Sequence, residues 1–343
     1  PALALGTMTF TMSAMPGTPS IQNAIPMPFF GTTAFAAPGL GLIASAIMLA
    51  FGLWWLGRAE GRARLAGEGF GDGLTPRAGD VAEDGIVRER AAVAQAFDPA
   101  EAARGAQGGS RPSAWIAFAP LVVVIAVNLL MSLLVLPRVD ASYLEDVRFG
   151  EATLAEVAGV WSVSVALAAA IATVVALNFR RFPALRSTMD AGANASVLPI
   201  LAVASLVGFG AVVAAMPAFE LVRDWVLGIG GGPLVSLAVA TNILAGLTGS
   251  ASGGLTIALD ALGPTFMAIA SETGLSPELM HRVAVIGAGT LDSLPHNGAV
   301  VTLLAVCGCT HRDSYGDIAV TAVLGSIVAL VVVIVLGTMF GSF

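Results

Sequence analysis

The chain has 343 residues, of which 56% are hydrophobic and only 11% are charged. Soluble domains carry about 25% charged residues, so this composition excludes an ordinary soluble domain and predicts a protein embedded in a lipid bilayer. The net charge of −7 excludes a nucleic-acid partner, because binding phosphates requires clustered basic residues. Cys307 and Cys309 lie in an apolar run without partner ligands, so no metal site is expected.

Five apolar stretches are long enough to cross the hydrocarbon core as helices, which takes about 20 residues. They cover residues 34–56, 114–136, 157–179, 194–216 and 317–339. Arginines follow the first and the third of these stretches, so both ends are expected on the cytoplasmic side. The acidic loop between the second and third stretches is then expected outside. These features predict an all-α polytopic membrane protein.

The only long hydrophilic stretch covers residues 57–113 and is rich in Gly, Ala, Arg and acidic residues. Such a composition predicts a solvated cytoplasmic linker, with at most one short amphipathic helix near residues 87–97.

Two other apolar regions are interrupted. Residues 1–30 contain Pro, Gly and polar residues at 15–23, and residues 282–309 contain a similar interruption at 292–298. We expect each region to be a helix broken within the membrane, which is tolerated only where the backbone is buried in protein or lines a cavity. Each break precedes a predicted span by about the same distance. The pattern therefore predicts an inverted repeat of the kind found in secondary transporters.

A third interruption lies between two short apolar arms, 234–247 and 255–270, which flank the small polar segment 248–254. Each arm is shorter than a comfortable span, so we predict a re-entrant hairpin whose tip reaches toward the middle of the membrane. Two short complete spans are the alternative.

Ionisable residues inside a membrane are costly and are functional candidates by default. Asp292 and His296 at the second break are predicted to carry protons, although Asp292 could instead cap the following half-helix. Asp260 on the return arm is more simply placed near the outer interface. Arg282 and Arg312 are expected at the ends of the second broken helix. An anionic substrate must then be bound by half-helix N-termini, which present free N–H groups and a positive dipole end.

Polar side chains and one glycine cluster at the three interruptions and form the predicted substrate-binding set. This set is Thr18, Ser20, Gln22, Asn23, Ser250, Ser252, Gly253, Ser293, His296, Asn297 and Thr302. Any single hydroxyl could instead bond within its own helix, so the clustering carries the prediction. No enzymatic activity is expected, because the segment 249–253 lacks the G-x-S-x-G pattern and no H-E-x-x-H motif is present.

Three motifs resemble the gluconate permease (GntP) family, and the likeness extends over most of the chain outside the hydrophilic stretch. The motifs are residues 11–23, residues 249–255, and the string Leu291-Asp292-Ser293-Leu294-Pro295-His296-Asn297-Gly298-Ala299. The resemblance implies a multi-pass symporter of the bacterial inner membrane that takes up gluconate or a related sugar acid with protons and needs no other cofactor. It also implies a homodimer in which a transport domain moves against a scaffold, and further spans that precede this segment.

The chain is accordingly divided into four parts. Residues 1–56 end the first repeat, 57–113 form the cytoplasmic linker, 114–216 form the scaffold with the dimer contacts, and 217–343 form the second-repeat transport region. A membrane scaffold subunit without transport activity, or a carrier for another small organic anion, is the alternative function.

Overall fold

A computed structural model describes residues 1–67, 112–149, 153–182, 184–197, 215–307 and 309–343, with 200–201, 204–205, 208 and 212. Every regular element in these residues is helical. The α-helices are α1 (Ala2–Thr9), α2 (Ile21–Ala24), α3 (Pro26–Phe30), α4 (Pro38–Ala66), α5 (Ala114–Leu130), α6 (Leu154–Asn178), α7 (Leu185–Ala195), α8 (Pro217–Leu227), α9 (Pro233–Thr248), α10 (Ala251–Thr273), α11 (Pro277–Ala288), α12 (Gly298–Cys307), α13 (His311–Ile318) and α14 (Gly325–Phe340). Short π-helical segments extend α1 and α5 and join α13 to α14.

Five helices of the described chain are long and apolar enough to cross a membrane. They are Pro38–Ala66, Ala114–Arg138, Val157–Arg181, Ala251–Thr273 and His311–Phe340. Four of them match predicted spans, which confirms the all-α polytopic membrane fold. The predicted span 194–216 lies partly outside the described residues, and the predicted linker helix near 87–97 lies outside them entirely. Helix α4 continues to Ala66, beyond the predicted end of its span at residue 56.

Both predicted helix breaks are present, with shifted edges. The helix that begins with α1 ends at Ala14, and residues 15–20 are non-helical. Residues 21–23 were predicted to belong to the break, but residues 21–24 form a helical turn, because the Ser20 hydroxyl caps it by accepting from the Asn23 N–H at 3.2 Å. The second break runs from residue 289 to 297, so Gly298 is helical rather than part of the break.

The order of elements supports the predicted repeat. A broken helix (α1 to α3) precedes the long helix α4, and a second broken helix (α11 and α12) precedes the long helix that contains α13 and α14. Helices α4 and α14 pack against each other. Helix α11 lies at the centre of the core, since its residues 279–288 are all buried, and it contacts α3, α9, α10 and α14.

Helices α9 and α10 form the predicted hairpin, with a turn at Gly249 and Ser250. The predicted start of the return arm at residue 255 is wrong, because α10 begins at Ala251 and has 23 residues. At about 35 Å, α10 is long enough to cross a membrane, so the length argument for a re-entrant hairpin holds only for the 16-residue α9. The two arms are closely packed: a Cβ added to Gly254 would lie 2.2 Å from the Ala245 nitrogen.

The predicted scaffold helices α5 and α6 pack against each other, and α6 contacts α2 and α3, which follow the first break. The Asn128 side chain donates from Nδ2 to the Gly17 carbonyl at 3.2 Å, and the Ser162 hydroxyl donates to the Asn128 carbonyl at 2.9 Å. Gly159 lies against Met27, whose Sδ would be 2.3 Å from an added Cβ. These polar and close contacts join the scaffold helices to the first broken helix. The dimer contacts assigned to the scaffold remain a prediction.

Candidate functional site

A cavity of about 300 Å³ lies where the hairpin turn and the two helix breaks meet. Its volume is at the lower end of the range typical of small-molecule sites, about 300–1,000 Å³. The cavity is lined by Leu5, Met8, Thr9, Met12, Ser13, Ile21, Gln22, Ser250, Ala251, Asp292, Ser293, Asn297 and Ala299. All three predicted interruptions therefore contribute residues to one cavity, although they are far apart along the chain.

Two helix N-termini face this cavity. Helix α10 is capped by Ser250, whose hydroxyl accepts from the Gly253 N–H at 3.1 Å. Helix α12 is capped by Asn297, whose Oδ1 accepts from the Ala299 N–H at 2.7 Å. The Asn297 amide also donates from Nδ2 to the Gly249 carbonyl at 2.6 Å, which holds the two N-termini side by side. Their positive dipole ends thus converge on one space.

Asp292 brings an acidic group to the same cavity. The Ser293 hydroxyl donates to Asp292 Oδ1 at 3.2 Å, and both residues line the cavity. No salt bridge to Asp292 is found within the described part of the chain. Asp292 therefore faces the space next to the two helix N-termini without a basic partner among those residues.

Gln22 lies on the wall formed by the first break. It is 8% exposed, and its Oε1 is the one buried side-chain polar atom without a hydrogen bond among the described residues. The neighbouring predicted residues have partners of their own: the Ser20 hydroxyl donates to the Met12 carbonyl at 2.6 Å, and the Thr18 hydroxyl donates to the Met15 carbonyl at 3.1 Å. Gln22 alone among these three lines the cavity.

Asn23 faces away from the cavity lining into a buried polar network. Its Nδ2 donates to the carbonyls of Thr18 at 2.9 Å and Ala34 at 3.0 Å. Its Oδ1 accepts from His281 Nε2 at 3.2 Å, and the Thr32 hydroxyl lies 2.6 Å from His281 Nδ1. A neutral His281 that donates from Nε2 and accepts at Nδ1 satisfies all of these contacts. The Asn23 side chain is thus already bonded to protein groups.

Arg282 completes this network and corrects a prediction. It was expected at the end of the second broken helix, yet it is fully buried. Its Nη1 donates to the Ala14 carbonyl at 3.1 Å, at the C-terminus of the first half-helix. Its Nε and Nη2 donate to the Ala36 carbonyl at 3.0 and 2.6 Å. A cation at a helix C-terminus is stabilised by the negative dipole end, which explains how this arginine is buried without a carboxylate partner in the described chain.

The position of Arg282 follows from the start of its helix. Ser276 caps α11 by accepting from the Leu279 N–H at 3.4 Å, and Pro277 occupies the first helical position. Arg282 consequently lies well inside the helix rather than at its edge. The adjacent ionisable residues His281 and Arg282, directly before an apolar run, were the available signal of a buried polar network.

The other predicted residues lie elsewhere. His296 is exposed, and its Nε2 donates to the Gly246 carbonyl at 2.8 Å rather than bonding Asp292. Ser252 and Gly253 are buried in the first turn of α10, and Asp260 is partly buried farther along that helix. The Thr302 side chain lies outside the described residues. Among the residues that the structure describes, no group of three or more His, Cys, Asp or Glu side chains is arranged to bind a metal ion.

Broken helices that meet at a cavity lined by both polar and apolar side chains, within an all-α polytopic membrane fold, define the class of membrane carriers. The comparison with known proteins agrees with this class. The chain is 37% identical over 341 residues to the uncharacterized transporter YxjC of Bacillus subtilis (strain 168), and the match covers 97% of the chain and 68% of that protein. The chain belongs to the same family as this transporter. No family model matches the chain, and no solved structure matches it.

Proposed function

We propose that this protein is a secondary active transporter that carries a small hydroxy-carboxylate, such as gluconate or a related sugar acid, across the bacterial inner membrane together with protons. The motifs that resemble gluconate permeases and the kinship to a bacterial transporter support this proposal. A transport role also explains the paired helix breaks, which a scaffold subunit does not require, and it needs no enzymatic chemistry.

The observation that carries the proposal is the pairing of two helix N-termini at one cavity. The Asn297 side chain bonds Gly249 and so keeps the starts of α10 and α12 together. Each N-terminus acts as about half a positive charge, so the pair attracts a carboxylate without a buried cation in contact with it.

Charge balance supports proton coupling through Asp292. The two N-termini together offset about one negative charge. An ionised Asp292 already supplies that charge, so an anionic substrate binds best when Asp292 is protonated. Substrate and proton then occupy the site together and leave it together, which is the requirement for symport. The proton-coupling and substrate-binding roles expected for His296 both stay predictions.

Uptake of labelled gluconate tests the proposal. Membrane vesicles that contain the full-length protein are compared with and without an inward proton gradient. We expect gradient-driven accumulation by the wild type. Asp292→Asn keeps the size of the side chain and removes its proton, so we expect it to lose accumulation while it retains exchange of internal for external substrate. Thr11→Val is the matched control, because Thr11 belongs to a helical segment beside the cavity, lies outside the cavity lining and donates its hydroxyl to the Thr7 carbonyl.

Each part of the proposal has its own contradictory result. Full accumulation by Asp292→Asn would remove Asp292 from the coupling role. Accumulation that follows a sodium gradient and ignores the proton gradient would contradict proton coupling. An absence of uptake or exchange for every hydroxy-carboxylate tested would contradict the transport proposal itself.

A further inference from the structure

We propose that Gln22 makes the site selective for carboxylates that carry a hydroxyl on the carbon next to the carboxyl group. This inference rests on the proposed function and adds to it the residue that recognises the hydroxyl. It starts from the buried Oε1 of Gln22, which has no hydrogen-bond partner among the described residues. A buried acceptor left unpaired is costly, so native structures rarely keep one without a role.

The lack of a partner does not come from a loosely held backbone. Ser20, two residues before Gln22, is held by its hydrogen bond to the Met12 carbonyl and caps the turn that contains Gln22. Asn23, the next residue, is bonded to Thr18, Ala34 and His281. Gln22 is therefore presented to the cavity by a segment that is fixed on both sides.

The chemistry of the amide defines what would satisfy it. A primary amide offers a donor and an acceptor side by side, and neither end of the Gln22 amide is bonded to another described residue. A carboxylate with a neighbouring hydroxyl presents the complementary pair, since its oxygen accepts from the amide N–H and its hydroxyl donates to the amide oxygen. This match holds for either orientation of the amide.

Gln22 differs from the helix N-termini and from Asp292, which line other parts of the cavity. The capped starts of α10 and α12 supply N–H groups, which accept no hydrogen bond. Asp292 already takes a hydrogen bond from Ser293. Gln22 lies on a different element of the same cavity, and its amide oxygen is the buried acceptor that lacks a hydrogen-bond partner among the described residues.

The test compares pairs of probes that differ only in this hydroxyl: gluconate with 2-deoxygluconate, and lactate with propionate. Their dissociation constants are measured by calorimetry on the purified full-length protein at fixed pH. A lost hydrogen bond to a buried partner corresponds to about a 10- to 100-fold change in affinity. We expect the wild type to prefer each hydroxylated probe by about this factor. Gln22→Met should abolish the preference, because it removes both hydrogen bonds to a hydroxylated probe but only the carboxylate bond to a probe without the hydroxyl.

Two further measurements separate recognition from a structural role. Gln22→Met removes an unpaired buried acceptor, so its thermal midpoint should stay the same or rise, whereas a structural hydrogen-bonding residue would lower it. Thr11→Val changes a residue of a helical segment beside the cavity that does not itself line the cavity, and it should retain the wild-type preference. Gln22→Asn, which withdraws the amide by one methylene, should lose most of the preference and provides a second variant.

The possible results distinguish the role of Gln22, the hydroxyl preference and the proposed function. A wild-type preference that persists in Gln22→Met and Gln22→Asn overturns the role of Gln22. Equal wild-type affinity for the paired probes overturns the inference and leaves carboxylate transport standing. Failure of all of these carboxylates to bind overturns the proposed function and the inference together.

Discussion

Replacing Arg282 by methionine tests the buried network behind the cavity. The substitution keeps an unbranched side chain in the space but removes every donor. Two carbonyls, those of Ala14 and Ala36, then lose the donors that the structure gives them. Each buried carbonyl left unpaired costs about 1–3 kcal/mol, which gives a loss of about 2–6 kcal/mol before relaxation.

An opposing effect reduces this loss. Burying a guanidinium carries a desolvation penalty, and Arg282→Met removes it. In the variant both carbonyls stay buried without donors, and the negative end of the first half-helix has no cation beside it. The cost of these unpaired groups exceeds the desolvation free energy that the substitution recovers. We therefore expect a net destabilisation of about 3 kcal/mol, or about 5–10 °C in thermal midpoint.

The thermal midpoint is measured in detergent by the intrinsic fluorescence of the 5 tryptophans. Arg282→Lys keeps the charge but has one nitrogen in place of the planar fork. Its thermal midpoint should therefore lie between those of Arg282→Met and the wild type. Arg312→Met is the matched control, because Arg312 is exposed and its removal should leave the midpoint unchanged. A midpoint for Arg282→Met equal to that of the control would refute the view that these hydrogen bonds stabilise the break.

Two more substitutions test the hairpin and its junction with the second break. Gly254→Ala would place a Cβ 2.2 Å from the Ala245 nitrogen, so we expect the hairpin arms to separate and the thermal midpoint to fall. Gly52→Ala is the control, because a Cβ at Gly52 meets nothing within 4 Å. Equal midpoints for the two variants would contradict the close packing of the hairpin. Asn297→Ala removes the cap of α12 and the bond to Gly249, so we expect about 1–2 kcal/mol of lost stability and weaker gluconate binding. Asn297→Asp keeps only the capping acceptor, and it should recover stability but not the tie to Gly249. Unchanged gluconate affinity in both variants would argue against the paired N-termini as the carboxylate site.

Local signals in the sequence were sufficient to predict where helices form and where they stop. Pro16 and Pro295 within apolar stretches indicated both breaks, because proline lacks the N–H that an interior helical position needs. The glycine and serine at 249 and 250 indicated the hairpin turn. The edges were less accurate, since side chains such as Ser20 cap a new helical turn within a segment that was predicted to be irregular.

The residues around the cavity were predictable as a group and not as individuals. The polar side chains that cluster at the interruptions include Gln22, Ser250, Asp292, Ser293 and Asn297, all of which line the cavity. The sequence could not distinguish these from neighbours such as Asn23. The direction of each side chain depends on a backbone turn that the amino-acid pattern does not specify.

The sequence by itself determined the membrane class, the interruptions and the turn, because apolar length and helix-breaking residues act over a few positions. The tertiary structure alone decided the place of Arg282. Its partners at Ala14 and Ala36 are 268 and 246 residues away, so no local pattern records them. The sequence places an arginine near the end of an apolar run, where an aqueous position is the default. Only the folded chain brings the carbonyls of Ala14 and Ala36 close enough to bond this cation in the core.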